Sequence, residues 1–265
     1  MIGRARPSPG RKLALGASGV LLLAAAWEAI ARSGAFAPAL TPTVPEIAAA
    51  LGRLAADGSL LGHVGATLGR ALSGLALAVA IAVPLGLLMG RWRPAERFCL
   101  PLMSALMPIP SLAWVPVLIL WFGLGNTTTV LLVFYAAALP LAYNAWTGAR
   151  SVSPLWLRAA RVMGADARSL FWKITLPGAL PFVIAGLRQA FARAWIAVLG
   201  GEMLAASAWG LGWVIFDAKE FLATDVMMGS LVVIGLIGLA FERMVFAAIE
   251  ARSVARWGML RSGGG

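Results

Sequence analysis

Residues 98–149 contain no Asp, Glu, Lys or Arg. That is more than twice the roughly 20 apolar residues a helix needs to cross hydrocarbon. Backbone N–H and C=O groups cannot stay unpaired in lipid, so a stretch of this kind is stable there only if its polar groups are satisfied within helices. The expected class is an all-α polytopic membrane protein. The remaining sequence agrees, with 60% apolar and 12% charged residues and a mean hydropathy of +0.86. Such a composition excludes an ordinary soluble globule.

Scanning for further runs of that length predicts six transmembrane helices in a single domain over 1–265, at 13–31, 68–90, 98–122, 127–148, 177–203 and 226–249. The motif Gly123-Leu124-Gly125-Asn126 divides the long uncharged tract in two. Its first half carries Pro101, Pro108, Pro110 and Pro116, which remove backbone donors and predict an irregular helix suited to lining a pathway. The N-terminal segment reads as an anchor rather than a cleaved leader, because no small-x-small site follows its apolar run.

Lys and Arg in the loops divide 15 to 3 between the two sides, with Arg70, Arg188, Arg193 and Arg243 in or beside spans. The richer side is expected to be cytoplasmic, which places both termini inside. Trp92, Trp121, Trp172, Trp209, Trp213 and Trp257 fall near span ends, where an amphipathic ring favours the interface. Between the first two spans an exported segment reads as a proline turn over 40–47, followed by an amphipathic helix with Ile47, Leu51 and Leu54 on one face. His63, in the same segment, reads as a surface or helix-start residue rather than a ligand.

The chain has one cysteine, Cys99, and one histidine, which leaves no intrachain disulfide and no Cys/His zinc cluster. It has no Gly-x4-Gly-Lys-Ser/Thr loop, so it does not hydrolyse ATP by itself. An intramembrane protease or lipid transferase would need a catalytic dyad at matching depth, which a lone outer-loop histidine does not supply. Cys99 reads as a small apolar packing residue.

The loop over 149–176 is the sizeable cytoplasmic insertion, and it reads as two short helices. Ser153 is a good N-cap, Pro154 suits the first helical position, and Gly164 can end the helix in the left-handed conformation. Leu155, Ala159, Val162 and Met163 recur on one face, with Arg158 and Arg161 elsewhere on the circumference. Asp166 caps a second helix running through Lys173, and Pro177 starts the next span. On periodicity alone the loop fits a helix lying on the membrane surface as well as one docking to a partner. Membrane anchorage at both ends argues against a DNA-binding helix-turn-helix.

The run Ala159-Ala160-x3-Gly164-x9-Ile174-x-Leu176-Pro177 resembles the cytoplasmic loop pattern Glu-Ala-Ala-x3-Gly-x9-Ile-x-Leu-Pro of permease subunits of binding-protein-dependent ABC importers. Arg158 stands where that pattern has glutamate, so a contact specific to the carboxylate does not carry over. Further likenesses follow in order: Pro108-Ile109-Pro110-Ser111-Leu112-Ala113-Trp114-Val115-Pro116, Ile119-Leu120-Trp121-Phe122-Gly123, Leu176-Pro177-Gly178-Ala179-Leu180-Pro181, Gly186-Leu187-Arg188, Gly201-Glu202-Met203, Gly210-Leu211-Gly212 and Glu220-Phe221-Leu222-Ala223-Thr224-Asp225-Val226. Together they are similar to the nitrate, sulfonate and taurine branch.

The resemblance implies a type I importer permease fold in the bacterial inner membrane, with N-in/C-in topology and a coupling helix in the cytoplasmic loop. It implies a homodimer of this chain, two cytoplasmic ATPase subunits and an outer solute-binding protein. No cofactor is bound by this chain, ATP and Mg belonging to the partner ATPase. The loop residues it points to are Arg158, Ala159, Ala160, Met163, Gly164, Ala165, Asp166, Ile174, Leu176 and Pro177. Small side chains at Ala159 and Ala160 would permit close approach to the ATPase, and Gly164 a sharp turn.

Pathway candidates are Pro110, Trp114, Arg188, Trp195 and Glu202. Arg188 lies 12 residues beyond Leu176, about 18 Å along a helix, deep in the bilayer. A charge there needs a partner or water. It either eases an anion through or forms a salt bridge to Glu28, Glu242 or another chain. Arg188, Trp195 and Glu202 share one face at seven-residue spacing, whereas Arg193 points elsewhere and reads as structural. Glu202, four turns from Arg188, reads as a gate or packing residue near the outer face. Gly178, Ala185, Gly186, Ala190, Ala194, Ala197, Gly200 and Gly201 predict close helix packing in the fifth span, and Gly86 with Gly90 does so in the second. The expected function is import of a small, anionic solute, an aliphatic sulfonate, taurine or nitrate-like ion. The alternative is an autonomous secondary transporter or channel.

Overall fold

A computed structural model describes residues 9–206, 208–246 and 248, and those residues contain helices and no strand. They divide into two compact units. One comprises the chain up to Leu61 with Val214–Val233, and the other Gly62–Trp213 with the chain from Ile234 onward.

In the first unit, α1 (Pro9–Arg32) is followed by a turn and α2 (Val44–Ala56). The Glu28 carboxylate accepts from Val44 N–H at 2.7 Å, and Trp27 Nε1 donates to the Pro42 carbonyl at 2.9 Å. These bonds tie the end of α1 to the start of α2. Glu46 accepts from Thr43 N–H at 2.7 Å and so closes the first turn of α2, where proline fits because early N–H groups lack helical partners. Arg53 pairs with Asp225 at 2.8 Å, and the Thr224 hydroxyl donates to the Ala39 carbonyl at 2.7 Å.

In the second unit the helices that matter for function are α3 (Ser59–Arg91), α4 (Arg93–Leu106), α5 (Val115–Phe122), α6 (Asn126–Ser151), α7 (Pro154–Val162), α8 (Ala167–Leu170) and α9 (Leu176–Ala205). The chain continues through α10 (Leu211–Glu220) and α11 (Thr224–Ala240). Among the described residues four helices are long and apolar enough to cross a membrane: Ser59–Arg91, Asn126–Ser151, Ala167–Ala205 and Thr224–Met244. A fifth crossing exists if the pair Arg93–Leu106 and Ser111–Phe122 is one broken span.

That pair is where the expected helix at 98–122 departs from the structure. Its halves meet at 91°, because the chain leaves the helix after Met107 and Pro110 takes an extended backbone at φ −58, ψ 134. Pro108 and Pro110 cannot donate to a continuing helix. The α3 helix starts at Ser59, nine residues before the expected 68, and carries His63 and Thr67 with it. The expected start at 177 is also a continuation, since α8 runs through a wide π-type turn (Phe171–Thr175) directly into α9. The end of the sixth expected span, the tail residues Arg252, Arg256, Trp257 and Arg261, and the starting residues Arg4 and Arg6 lie outside the described residues.

Helices α6 and α9 form the core of this unit through small residues. Ala145, Ala149, Ala179, Ala190 and Ala197 are fully buried. A Cβ on Gly186 would meet Asn144 at 2.6 Å, and one on Gly148 would meet the Ala179 carbonyl at 2.9 Å, so only glycine allows this helix separation. Gly86 and Gly90 press against Ala142 and Ala149 of α6, bringing α3 in as closely. Gly123 and Gly125, at φ +76 and +125, make the turn between α5 and α6 that the dividing motif predicts.

Candidate functional site

The loop between α6 and α9 is folded as its caps dictate. Ser153 Oγ accepts from Leu155 N–H at 3.3 Å, Gly164 takes φ +83, and Asp166 Oδ1 accepts from Ser169 N–H at 2.9 Å. Bonds from the Ser169 hydroxyl and N–H hold the Asp166 carboxyl below its ordinary pKa. The inner face of the loop is a small core of Val152, Leu157, Ala160 and Leu170, with Ala165 and Ile174 packed against it. Its outer face is apolar too. Leu155, Trp156 and Met163 are exposed, and Val162 is 89% exposed.

The face with helical spacing at Leu155, Ala159, Val162 and Met163 therefore points away from the chain. Of the two adjacent alanines, Ala159 is exposed and Ala160 is buried, so the small-residue approach surface is Ala159 alone. Arg158 is exposed beside it. Leu176 and Pro177 open α9, with Ile174 in the turn before them, so the loop is joined to a membrane helix without an intervening coil.

The charged candidates sit in two places. Glu202, 1% exposed, is met by Arg70 of α3: Arg70 Nη1 donates to Glu202 Oε1 at 2.7 Å and to the Trp209 carbonyl at 2.5 Å. Arg70 Nε donates to Asn126 Oδ1 at 2.7 Å, and the Thr67 hydroxyl donates to Glu202 Oε2 at 2.9 Å. The backbone N–H groups of Leu211 and Gly212 donate to Thr67 and Glu202, so this network holds the turn after α9. His63 is buried rather than on the surface. Its Nδ1 accepts from Gly210 N–H at 3.2 Å while its ring lies 4.8 Å from Trp209 and 5.8 Å from Trp213.

Arg188 pairs with Glu242, one of the partners the sequence offered. Trp195 is buried in an aromatic stack, 6.0 Å from Phe191, whose ring lies 4.7 Å from Phe241. Pro110 borders a cavity of about 340 Å³ at the bend between α4 and α5, lined also by Pro108, Ser111, Tyr135, Pro140 and Arg193. Trp114 lies 5.5 Å from Tyr135, and its buried Nε1 has no acceptor among the described residues.

Residues 82–251 match the family of binding-protein-dependent transport system inner membrane components. The chain belongs to this family. The permease is 32% identical over 237 residues to the taurine transport system permease protein TauC of Escherichia coli, covering 88% of this chain and 86% of that one. It is 38% identical to a putative ABC transporter permease protein of Methanocaldococcus jannaschii over 186 residues, 70% of each chain. Its fold is shared with the inward-facing methionine ABC transporter MetNI, at a TM-score of 0.61 and 21% identity over 72% of this chain and 94% of that one.

The permease is thus a multi-pass, non-catalytic membrane subunit of an ATP-driven importer, and ATP hydrolysis resides in separate subunits. Sequence reasoning missed Arg70 as the partner of Glu202. It was visible only as an arginine at a span edge, since 132 residues separate the pair. Arg193, off the seven-residue stripe through Arg188 and read as structural, borders the cavity at the α4–α5 bend.

Proposed function

We propose that this permease carries a small oxyanion, of the sulfonate or taurine class or nitrate-like, from an outer binding protein across the bacterial inner membrane. In this reading six helices cross the bilayer with both termini cytoplasmic, α1 and the broken α4–α5 pair included. Two copies of the chain form the pathway, and an ATPase docks on the loop of each. Taurine is the solute in the name of the Escherichia coli relative, and the excess of loop arginines suits a cytoplasmic face.

One observation carries the proposal: α7 turns Leu155, Trp156, Ala159, Val162 and Met163 outward although its inner face is already packed. An apolar face of this kind marks an interaction site. Because α8 passes into α9 without a break, motion of a docked ATPase is transmitted to α9 as rotation of a rigid element. A helix merely resting on lipid needs no such mechanical continuity.

Purification of the tagged permease from its native host in mild detergent tests this. The parent is expected to bring an ATP-hydrolysing subunit with it, and a Val162→Asp, Met163→Asp variant to lose that subunit while eluting as a folded assembly. A folded parent that never retains an ATPase would support an autonomous transporter.

A further inference from the structure

We propose that Arg193 is the residue that meets the anion in transit, in the cavity at the α4–α5 bend. The assignment rests on the permease reading above.

Arg193 lies 17 residues past Leu176 and 12 before Ala205. Those separations are about 25 Å and 18 Å along the helix axis, too far for its side chain to reach either end. It is exposed, and among the described residues no carboxylate, hydroxyl or carbonyl pairs with it. The neighbouring arginines differ: Arg188 faces Glu242, and Arg70 is enclosed by Glu202, Asn126 and the Trp209 carbonyl. A mid-span guanidinium unpaired within its own chain requires water, a ligand or the second copy beside it.

The cavity gives room for the first two. Its volume of about 340 Å³ is that of roughly ten waters at ~30 Å³ each, room for a small hydrated oxyanion. Among the described residues no carboxylate lines it. The Ser111 hydroxyl lines it without a hydrogen-bond partner among the described residues, and so is free to donate. The irregular backbone around Pro108 and Pro110 is of the kind tolerated at membrane depth only within protein or beside a water-filled cavity. One guanidinium and one hydroxyl attract an oxyanion without the several contacts that would trap it, and transport requires this balance.

The test works whichever anion is the solute. With Cys99→Ala as background, Ser111→Cys and, separately, Ile196→Cys place reporters on the cavity wall. In proteoliposomes their reaction rates with a sulfonate-bearing and a trimethylammonium-bearing methanethiosulfonate are compared. With arginine at 193 the sulfonate reagent is expected to be favoured. Arg193→Gln should reduce that preference about tenfold, and Arg193→Lys should retain it.

A preference indifferent to residue 193 at both reporters, or two reporters closed to both reagents, would overturn the assignment. Failure to recover an ATPase while the charge preference persists would remove the importer reading and leave the anion site. Recovery of the ATPase with an indifferent preference would do the reverse.

Discussion

The loop helix α7 and the network around Glu202 both break the rule that apolar groups lie inside and charges outside, and they break it in opposite ways. Val162 is 89% exposed, while Glu202 is 1% and Arg70 8% exposed. The network is complete within the chain, since each Glu202 oxygen already accepts hydrogen bonds. Among the described residues nothing covers the outward face of α7. A buried charge with its partners present fixes structure, whereas an apolar face without one looks beyond the chain.

The strongest way to break this comparison is to leave the network half-made. Glu202→Leu abandons the Arg70 guanidinium in a buried site and should cost roughly 3–5 kcal/mol, read as a large fall in unfolding temperature in detergent. Adding Arg70→Met should restore part of the loss, because it removes the uncompensated charge while the Gly212 N–H still lacks its acceptor. A single variant as stable as the parent would show that the network holds nothing.

A smaller effect is expected at the turn closing α7. Gly164 sits at φ +83 with open space where a Cβ would be, so Gly164→Val strains backbone alone. The left-handed conformation costs a side-chain-bearing residue about 1–2 kcal/mol. ATPase retention should fall up to about tenfold, with the unfolding temperature of the membrane core unchanged.

The smallest concerns Asp166. Its folded pKa is depressed by the hydroxyl and N–H of Ser169, so the cap's contribution is present above the unfolded-state pKa and is lost as pH falls through the lower folded value. Exchange of the Ser169 amide should therefore show no loss of the cap between about pH 5 and 8. Protection should weaken only in stronger acid, and Asp166→Ala should abolish that acid dependence.

Features set by local chemistry were the legible ones. Ser153, Gly164 and Asp166 act within a few residues of themselves: the two side chains cap helix starts, and the missing Cβ lets Gly164 turn left-handed. The glycine spacing of α3 and α9 foretold close packing because a missing Cβ has one geometric meaning. The 91° break was foreshadowed only as irregularity, since proline says where a helix loses donors and not how far it then turns. Partnerships across the sequence were not legible: Thr67 and Arg70 reach Glu202 from 135 and 132 residues away. The resemblance paired Ala160 with Ala159 as an approach surface, yet Ala160 is buried under the loop. Periodicity reports which residues share a face, while packing decides whether that face is covered.

The central claim is that the outward face of α7 is the docking surface for an ATPase. Val162→Cys in a Cys99→Ala background measures it directly, through the alkylation rate of that thiol in the assembly purified from the native host and in the permease stripped of its partners. The account predicts fast alkylation of the stripped permease and at least about tenfold protection in the assembly. Equal rates, with an ATPase demonstrably bound, would place the docking surface elsewhere and contradict the claim.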